Sequence, residues 1–202
     1  MREPVDAPRT RFLLHSALST AEAVPGKGAM TLSWMERRAL RLSNLFGFLA
    51  CLSMLGAAYY MEHGMGLEPC PLCILQRMAV AGMAIVFTIA MLHGPKDWGR
   101  FLYGALILLV AGTGAAIAGR HIWLQSLPPD EVPACGPGLD YMMSTFPLSD
   151  VVRMVLQGSG ECADVHVVFG LSLPIWTLAG FIIVGLFGVW ANFKPRQRSI
   201  WL

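Results

Sequence analysis

Charge is the scarcest resource in this chain. Only 14% of its 202 residues are charged, while 55% are hydrophobic; an ordinary soluble domain carries roughly a quarter charged residues. The deficit points to lipid, not water, as the main solvent. Polar faces are missing too. The stretches 42–61, 74–92, 101–119 and 173–191 are nearly free of charge and lack the polar residues at helical spacing that a soluble core helix would show. Each is about 19–20 residues long, enough to cross roughly 30 Å of hydrocarbon at 1.5 Å per residue. A net charge of only +2 says little by itself about nucleic acid or acidic partners, and no nucleic-acid partner is expected. Phe12–Leu14 is too short an apolar run for a signal peptide. Metal-ligand clusters, phosphate-cradling glycine loops and hydrolytic nucleophile arrangements are likewise absent from the sequence pattern, so no resident metal is expected.

The little charge present is sorted by sign. Arg2, Arg9, Arg11, Lys27, Arg37, Arg38 and Arg41 precede the first span; Lys96 and Arg100 lie between spans two and three; Lys194, Arg196 and Arg198 follow span four. If every stretch crosses, these segments share one side. The opposite loops, 62–73 and 120–172, hold Arg120 and Arg153 among Glu62, Glu68, Asp130, Glu131, Asp140, Asp150, Glu161 and Asp164. By the positive-inside rule both termini are cytoplasmic and those two loops lie outside.

Residues 1–41 read as a disordered cytoplasmic tail, broken by Pro4, Pro8, Pro25, Gly26 and Gly28. Met30 and Met35, just before the basic cluster, are alternative starts to Met1. The membrane domain is expected over 42–193, with 194–202 as a second cytoplasmic tail. Short connections between spans one and two, and between two and three at Gly94-Pro95, force antiparallel neighbours. The expectation is an all-α membrane protein, a four-transmembrane-helix up-and-down bundle. Small residues at Ala111, Gly112, Ala115, Ala116 and Gly119 are candidates for close helix contact in span three.

The long outer loop is of a length that usually carries function. After Pro147, the residues Leu148, Val151, Val152 and Val155 define one face of a short amphipathic helix, lying on the membrane surface or packed as a lid over the bundle. Trp123 and Trp176 sit where indole rings anchor spans at an interface.

Topology also sorts the five cysteines. Cys51 lies mid-span, where a thiol behaves as a small apolar group. Cys70, Cys73, Cys135 and Cys162 all fall on the outer side, where disulfides persist. Cys70-Pro71-Leu72-Cys73 is a C-x-x-C at the entry to span two, where free backbone N–H groups and the helix dipole stabilise a thiolate. It is no c-type haem site, because Ile74 follows. Arg77 lies one turn deeper than Cys73 on the same face, about 6 Å along the axis. It either snorkels to the interface or stabilises thiolate and an acceptor beside Cys73. Cys135 and Cys162, if bonded to one another, form either a structural staple worth about 3–4 kcal/mol or an accessible disulfide open to another protein's thiol. A four-thiolate zinc site is permitted by the count, though only one close-paired knuckle exists.

In combination these residues resemble the DsbB family of bacterial inner-membrane disulfide-bond oxidases. The resemblance runs from about Leu45 to Phe193. It is carried by Cys70-Pro-Leu-Cys73-Ile-Leu-Gln-Arg77, Arg120-His121 after span three, Cys135, Gly160-Glu161-Cys162-Ala163, and Leu173-Pro174-Ile175-Trp176. It implies a relay of two redox-active disulfides, Cys70-Cys73 and Cys135-Cys162. Cys135 would be attacked by a DsbA-like periplasmic dithiol protein, Cys70 would exchange with the loop pair, and Cys73 would face a quinone, ubiquinone or menaquinone. Arg77 and His121 match quinone-site residues of the family, and Trp176 borders the same region. The C-x-x-C at span two argues against the vitamin K epoxide reductase type, whose active pair sits near the last span. A zinc-stabilised membrane scaffold or small transporter is the competing, non-enzymatic reading.

Overall fold

The computed structural model describes residues 27–95, 98–134, 136 and 139–193. Among them are six α-helices, one 3-10 helix and a two-stranded hairpin. Four helices are long and apolar enough to span a membrane: α1 (Lys27–Met65), α2 (Pro71–His93), α3 (Trp98–Gln125) and, last in the chain, α6 (Leu173–Phe193). The expected all-α, four-span architecture is the one adopted.

Every span outruns its expected bounds, because hydropathy stops at the first polar residues and helix propensity does not. The expected tail 1–41 is corrected in this respect: residues 27–41 are helical. Met35, Glu36, Arg37, Arg38, Ala39 and Leu40 are all strong helix formers, and no glycine or proline interrupts them. At its other end α1 carries Glu62, expected in a loop, within its last turns. Residues 1–26 and the tail 194–202 lie outside the described residues. The chain divides into two compact units at Arg38 and Ala39. In the first, the Arg38 guanidinium stacks 3.8 Å from the Trp34 ring centre; the second contains everything that follows.

Helix α3 is the axis of the second unit, packing most extensively on α6 and then on α2. Its buried stripe is Gly104, Ile107, Ala111, Gly114, Ala118 and His121, spaced three or four apart as one helix face requires. Without a hydrophobic drive between helices in lipid, close backbone approach supplies the contact. The Phe181 ring rests directly on Gly114, Ala111 meets Gly185, and Phe87 fills the space over Gly47 and Gly188. Of the small residues expected to pack, Ala111 does, whereas Gly112 and Gly119 have open space beside them. The helical period turns them to the far side. Cys51 is fully buried in this apolar cluster, the structural place expected for it. Near the opposite end of the bundle from Cys70 and Cys73, Asn192 Nδ2 donates to Asn44 Oδ1 at 3.2 Å, joining α6 to α1 inside the core.

The segment between α3 and α6 is more structured than expected. It contains α4 (Leu139–Thr145), α5 (Leu148–Gln157), the 3-10 helix Gly160–Ala163, and strands β1 (Val167–Val168) and β2 (Leu171–Ser172). The amphipathic helix is α5. Its Val151 and Val155 are buried among Leu72, Leu124 and Met142, so it packs on the bundle; Leu148 and Val152 stay exposed. Arg120, at the end of α3, donates to the carbonyls of Leu156 and Gln157 at 3.4 and 3.1 Å. A cation on free carbonyls at a helix C-terminus is favourable, and here it fastens α5. The hairpin pairs Val167 with Ser172 and Val168 with Leu171 across a turn whose Phe169 and Gly170 both have positive φ. Trp176 Nε1 donates to the Val168 carbonyl at 3.0 Å, tying the hairpin to the start of α6.

Gly114→Ala is expected to overpack against Phe181 and cost about 1–3 kcal/mol, read as a lower melting temperature in detergent. Gly112→Ala, with open space at its Cβ, should leave it unchanged or slightly raised.

Candidate active site

Proline at the first position of α2 fixes φ for helix entry without wasting an N–H, and leaves the preceding residue extended. That residue is Cys70, with φ −65° and ψ 161°, and it is the N-cap: its Sγ accepts from the Cys73 N–H at 3.4 Å. Cys73, one turn on, brings its own Sγ to 3.2 Å from that of Cys70. The C-x-x-C therefore stands where sequence placed it, at the mouth of a membrane helix with free amides aimed at sulfur.

Helix α3 delivers His121 to the same point. The imidazole is 3% exposed, with Nε2 at 3.8 Å from Cys70 Sγ and Nδ1 at 4.0 Å from Cys73 Sγ. Behind it stands Gln76, also buried, whose Nε2 lies 3.2 Å from His121 Nδ1. Thr177 of α6 donates to Gln76 Oε1 at 2.7 Å. Three spans thus contribute to one polar chain ending on the sulfurs. Sequence reading singled out His121 but missed Gln76 and Thr177. Their signal was present, since an uncharged polar side chain inside an apolar span needs a partner.

From the loop side, the 3-10 helix carries Cys162 into contact with Cys70. Cys162 is fully buried, sharing a cluster with Cys70, Leu72, Leu124 and Val155. Its Sγ lies 3.8 Å from the Ser159 hydroxyl, and Leu72, in the first turn of α2, packs in the same cluster. Interaction with the Cys70 side chain, and after it burial, hold the Cys162 thiol well above the ordinary cysteine range. Cys162, for which the sequence left a structural staple and an accessible disulfide both open, is enclosed under α5. Cys135 lies outside the described residues. Its neighbours do not: Gly160 N–H donates to the Ala134 carbonyl at 3.3 Å, in the turn that carries Cys162.

Arg77 is neither free in lipid nor alone. Its guanidinium forms an ion pair with Glu62 of α1 and donates to the Ala58 carbonyl at 3.1 Å. Both charged side chains are only partly exposed, where pairing matters more than at a water-washed surface. Glu62 was missed as a partner because hydropathy ended α1 too early. Arg77, Gln76, His121 and Cys73 line one cleft with Thr177, and Met54, Leu55, Val80 and Trp176 supply apolar wall. Mostly apolar lining with a few convergent polar groups is the usual make-up of a small-molecule site. Trp176 does border this cleft; Trp123 is half-exposed, with the Arg120 guanidinium 4.1 Å from its ring centre.

Comparison with known proteins gives a consistent match. Residues 40–191 fit the family model of disulfide bond formation protein DsbB. A disulfide bond formation protein B of Marinobacter nauticus is 50% identical over 159 residues, covering 76% of this chain and 95% of that protein. Its counterpart in Nitrosococcus oceani is 48% identical over 155 residues (76% and 92%), and that of Chromohalobacter salexigens 50% over 163 residues (79% and 95%).

The raised Cys162 value has a definite pH consequence. The fold favours the protonated thiol, so this group's contribution to stability is complete below the ordinary cysteine pKa of about 8.5 and is lost as pH rises through the raised value. In the fully reduced protein, Cys162 should therefore resist alkylation through the range where an ordinary cysteine ionises. Cys70→Ala removes the chief cause and should move the onset of alkylation, followed by mass spectrometry, to lower pH.

Proposed function

The chain belongs to the DsbB family and is a membrane-embedded disulfide-bond oxidase; within that role we propose that it reoxidises a DsbA-like periplasmic dithiol protein and passes the electrons to membrane quinone. The observation that carries this reading is the burial of Cys162 against Cys70, which brings the long loop's sulfur to the C-x-x-C at the head of α2. Two disulfide systems that must exchange need such an approach.

The exchange balances bond by bond. With both pairs oxidised, a partner thiolate attacks Cys135, forming a mixed disulfide and releasing Cys162 as thiolate. Cys162 attacks Cys70, the Cys70-Cys73 bond breaks, and the electron pair leaves on Cys73. The partner's second thiol resolves the mixed disulfide, so the partner departs oxidised and Cys135 is free. Cys135 then attacks Cys162, restoring the loop pair and expelling Cys70 as thiolate. Two electrons now reside on Cys70 and Cys73. A bound quinone, ubiquinone or menaquinone, supplies the oxidising power by accepting two electrons and two protons.

The cleft suits such an acceptor: its apolar wall fits a lipophilic ring and tail, and its polar edge carries Arg77 and His121 beside Cys73. These two residues are assigned to hold the quinone, with the Arg77 guanidinium, oriented by Glu62, favouring negative charge there. The distribution of basic residues supports placement in the bacterial inner membrane with cytoplasmic termini and both cysteine loops periplasmic.

One observation favours the zinc-scaffold alternative. The ligand atoms of Cys70, Cys73 and His121 all lie within 4.8 Å of one another. The surroundings of His121 oppose it. A metal-bound histidine donates its other ring N–H to an acceptor, whereas the neighbour of Nδ1 here is the Gln76 amide nitrogen, a donor. Stoichiometric zinc in the purified protein, with Cys70, Cys73, Cys135 and Cys162 unreactive, would favour the scaffold.

In the purified protein supplied with quinone and a reduced dithiol partner, Cys73→Ser should abolish quinone reduction, and undiminished turnover in that variant would overturn the relay. Cys135→Ser should retain bound quinone yet fail to oxidise the partner; continued oxidation would remove Cys135 from the role given to it.

A further inference from the structure

We propose that Gln76 and Thr177 are positioning residues that hold His121 in its Nε2–H tautomer, so that the ring N–H is aimed at the Cys70 sulfur. The inference deepens the relay described above and rests on it for its catalytic meaning, though not for its geometry.

The argument follows from which atoms can donate. A carboxamide oxygen only accepts, and its nitrogen only donates. Thr177 Oγ1 lies 2.7 Å from Gln76 Oε1 and 3.0 Å from the Pro174 carbonyl; its single proton takes the shorter bond. The amide is thereby oriented, with Gln76 Nε2 turned to His121 Nδ1 at 3.2 Å. A donor facing Nδ1 requires a lone pair there. The neutral imidazole must then carry its proton on Nε2, the nitrogen 3.8 Å from Cys70 Sγ. Gln76 and His121 are both 3% exposed, so solvent competes little for the bond between them. The network also spans α6, α2 and α3, so the ring's direction is set by three packed helices and not by a loop.

The orientation matters at one step. When Cys135 attacks Cys162, the Cys162-Cys70 bond breaks and its electron pair leaves on Cys70. An N–H already directed at that sulfur stabilises the departing anion without having to reorganise. The opposite tautomer would present a lone pair to it.

The test is the imidazole itself. Long-range proton–nitrogen NMR of histidine-labelled, quinone-free protein in detergent micelles should report the Nε2–H tautomer for His121. Gln76→Glu, whose carboxylate only accepts, should switch it to Nδ1–H. In stopped-flow exchange with a reduced dithiol partner, Gln76→Glu and Thr177→Val should slow the step that releases Cys70 by about tenfold, the worth of one hydrogen bond to a charged group. KM for the partner should stay constant, and Thr177→Ser should restore the rate. A wild-type ring that is Nδ1–H or doubly protonated would overturn the proposal, as would an unchanged tautomer and rate in Gln76→Glu. Because the tautomer is read without partner or quinone, failure of the relay itself would appear separately, as absent partner oxidation with the Nε2–H ring intact.

Discussion

Free backbone N–H groups at the start of α2 are the constraint around which the rest is arranged. A helix entering lipid cannot leave its first amides without acceptors, since no water reaches inside to satisfy them. Here sulfur fills that place. Cys70 accepts from the Cys73 amide as the N-cap, and Cys162, from a distant loop, packs against Cys70 and Leu72 beside it. One helix terminus thus gathers the C-x-x-C and a loop cysteine into the same few ångströms. Proline at the first helical position sharpens the entry, and burial beneath α5 shields the cluster.

Such a cluster needs a stiff frame, and glycine provides it. Where Phe181 lies on Gly114, Phe87 on Gly47 and Gly188, and Ala111 on Gly185, the helices approach too closely for sliding adjustments. The lid is fixed differently, by two valines below and by the Arg120 guanidinium on the carbonyls that end α5. Arg120 and His121 are adjacent on α3 yet serve opposite sides of the same construction: one fastens the lid, the other faces the sulfurs.

Polar groups buried inside a lipid-embedded bundle are costly and persist where each has a partner. Arg77 has Glu62 and the Ala58 carbonyl; Gln76 has Thr177 and His121; the Asn192 amide nitrogen has Asn44 and the Gly188 carbonyl, while its oxygen is buried without a partner among the described residues. The first two sets surround the cleft beside Cys73, and the third stands apart at the other end, where it joins α6 to α1. Electrostatic function and helix adhesion therefore use the same chemistry in different places.

Sequence by itself determined the four spans, the sorting of charge, the C-x-x-C at the entry to span two, and the placing of Cys73 and Arg77 on one helix face, because composition and helical period are local properties. It also marked Cys51 as structural, since a lone thiol in an apolar run has no local partner. What only the tertiary structure decided are relations between distant residues. That Cys162 is enclosed against Cys70, that Glu62 pairs with Arg77, and that Thr177, Gln76 and His121 form one chain depend on how three or four helices meet, which no spacing along the chain encodes. The packed face of α3 was half legible for the same reason: the small residues were visible, but which of them touch a neighbour depends on the rotation of the helix within the bundle, and that is settled by the aromatic rings of the facing helices.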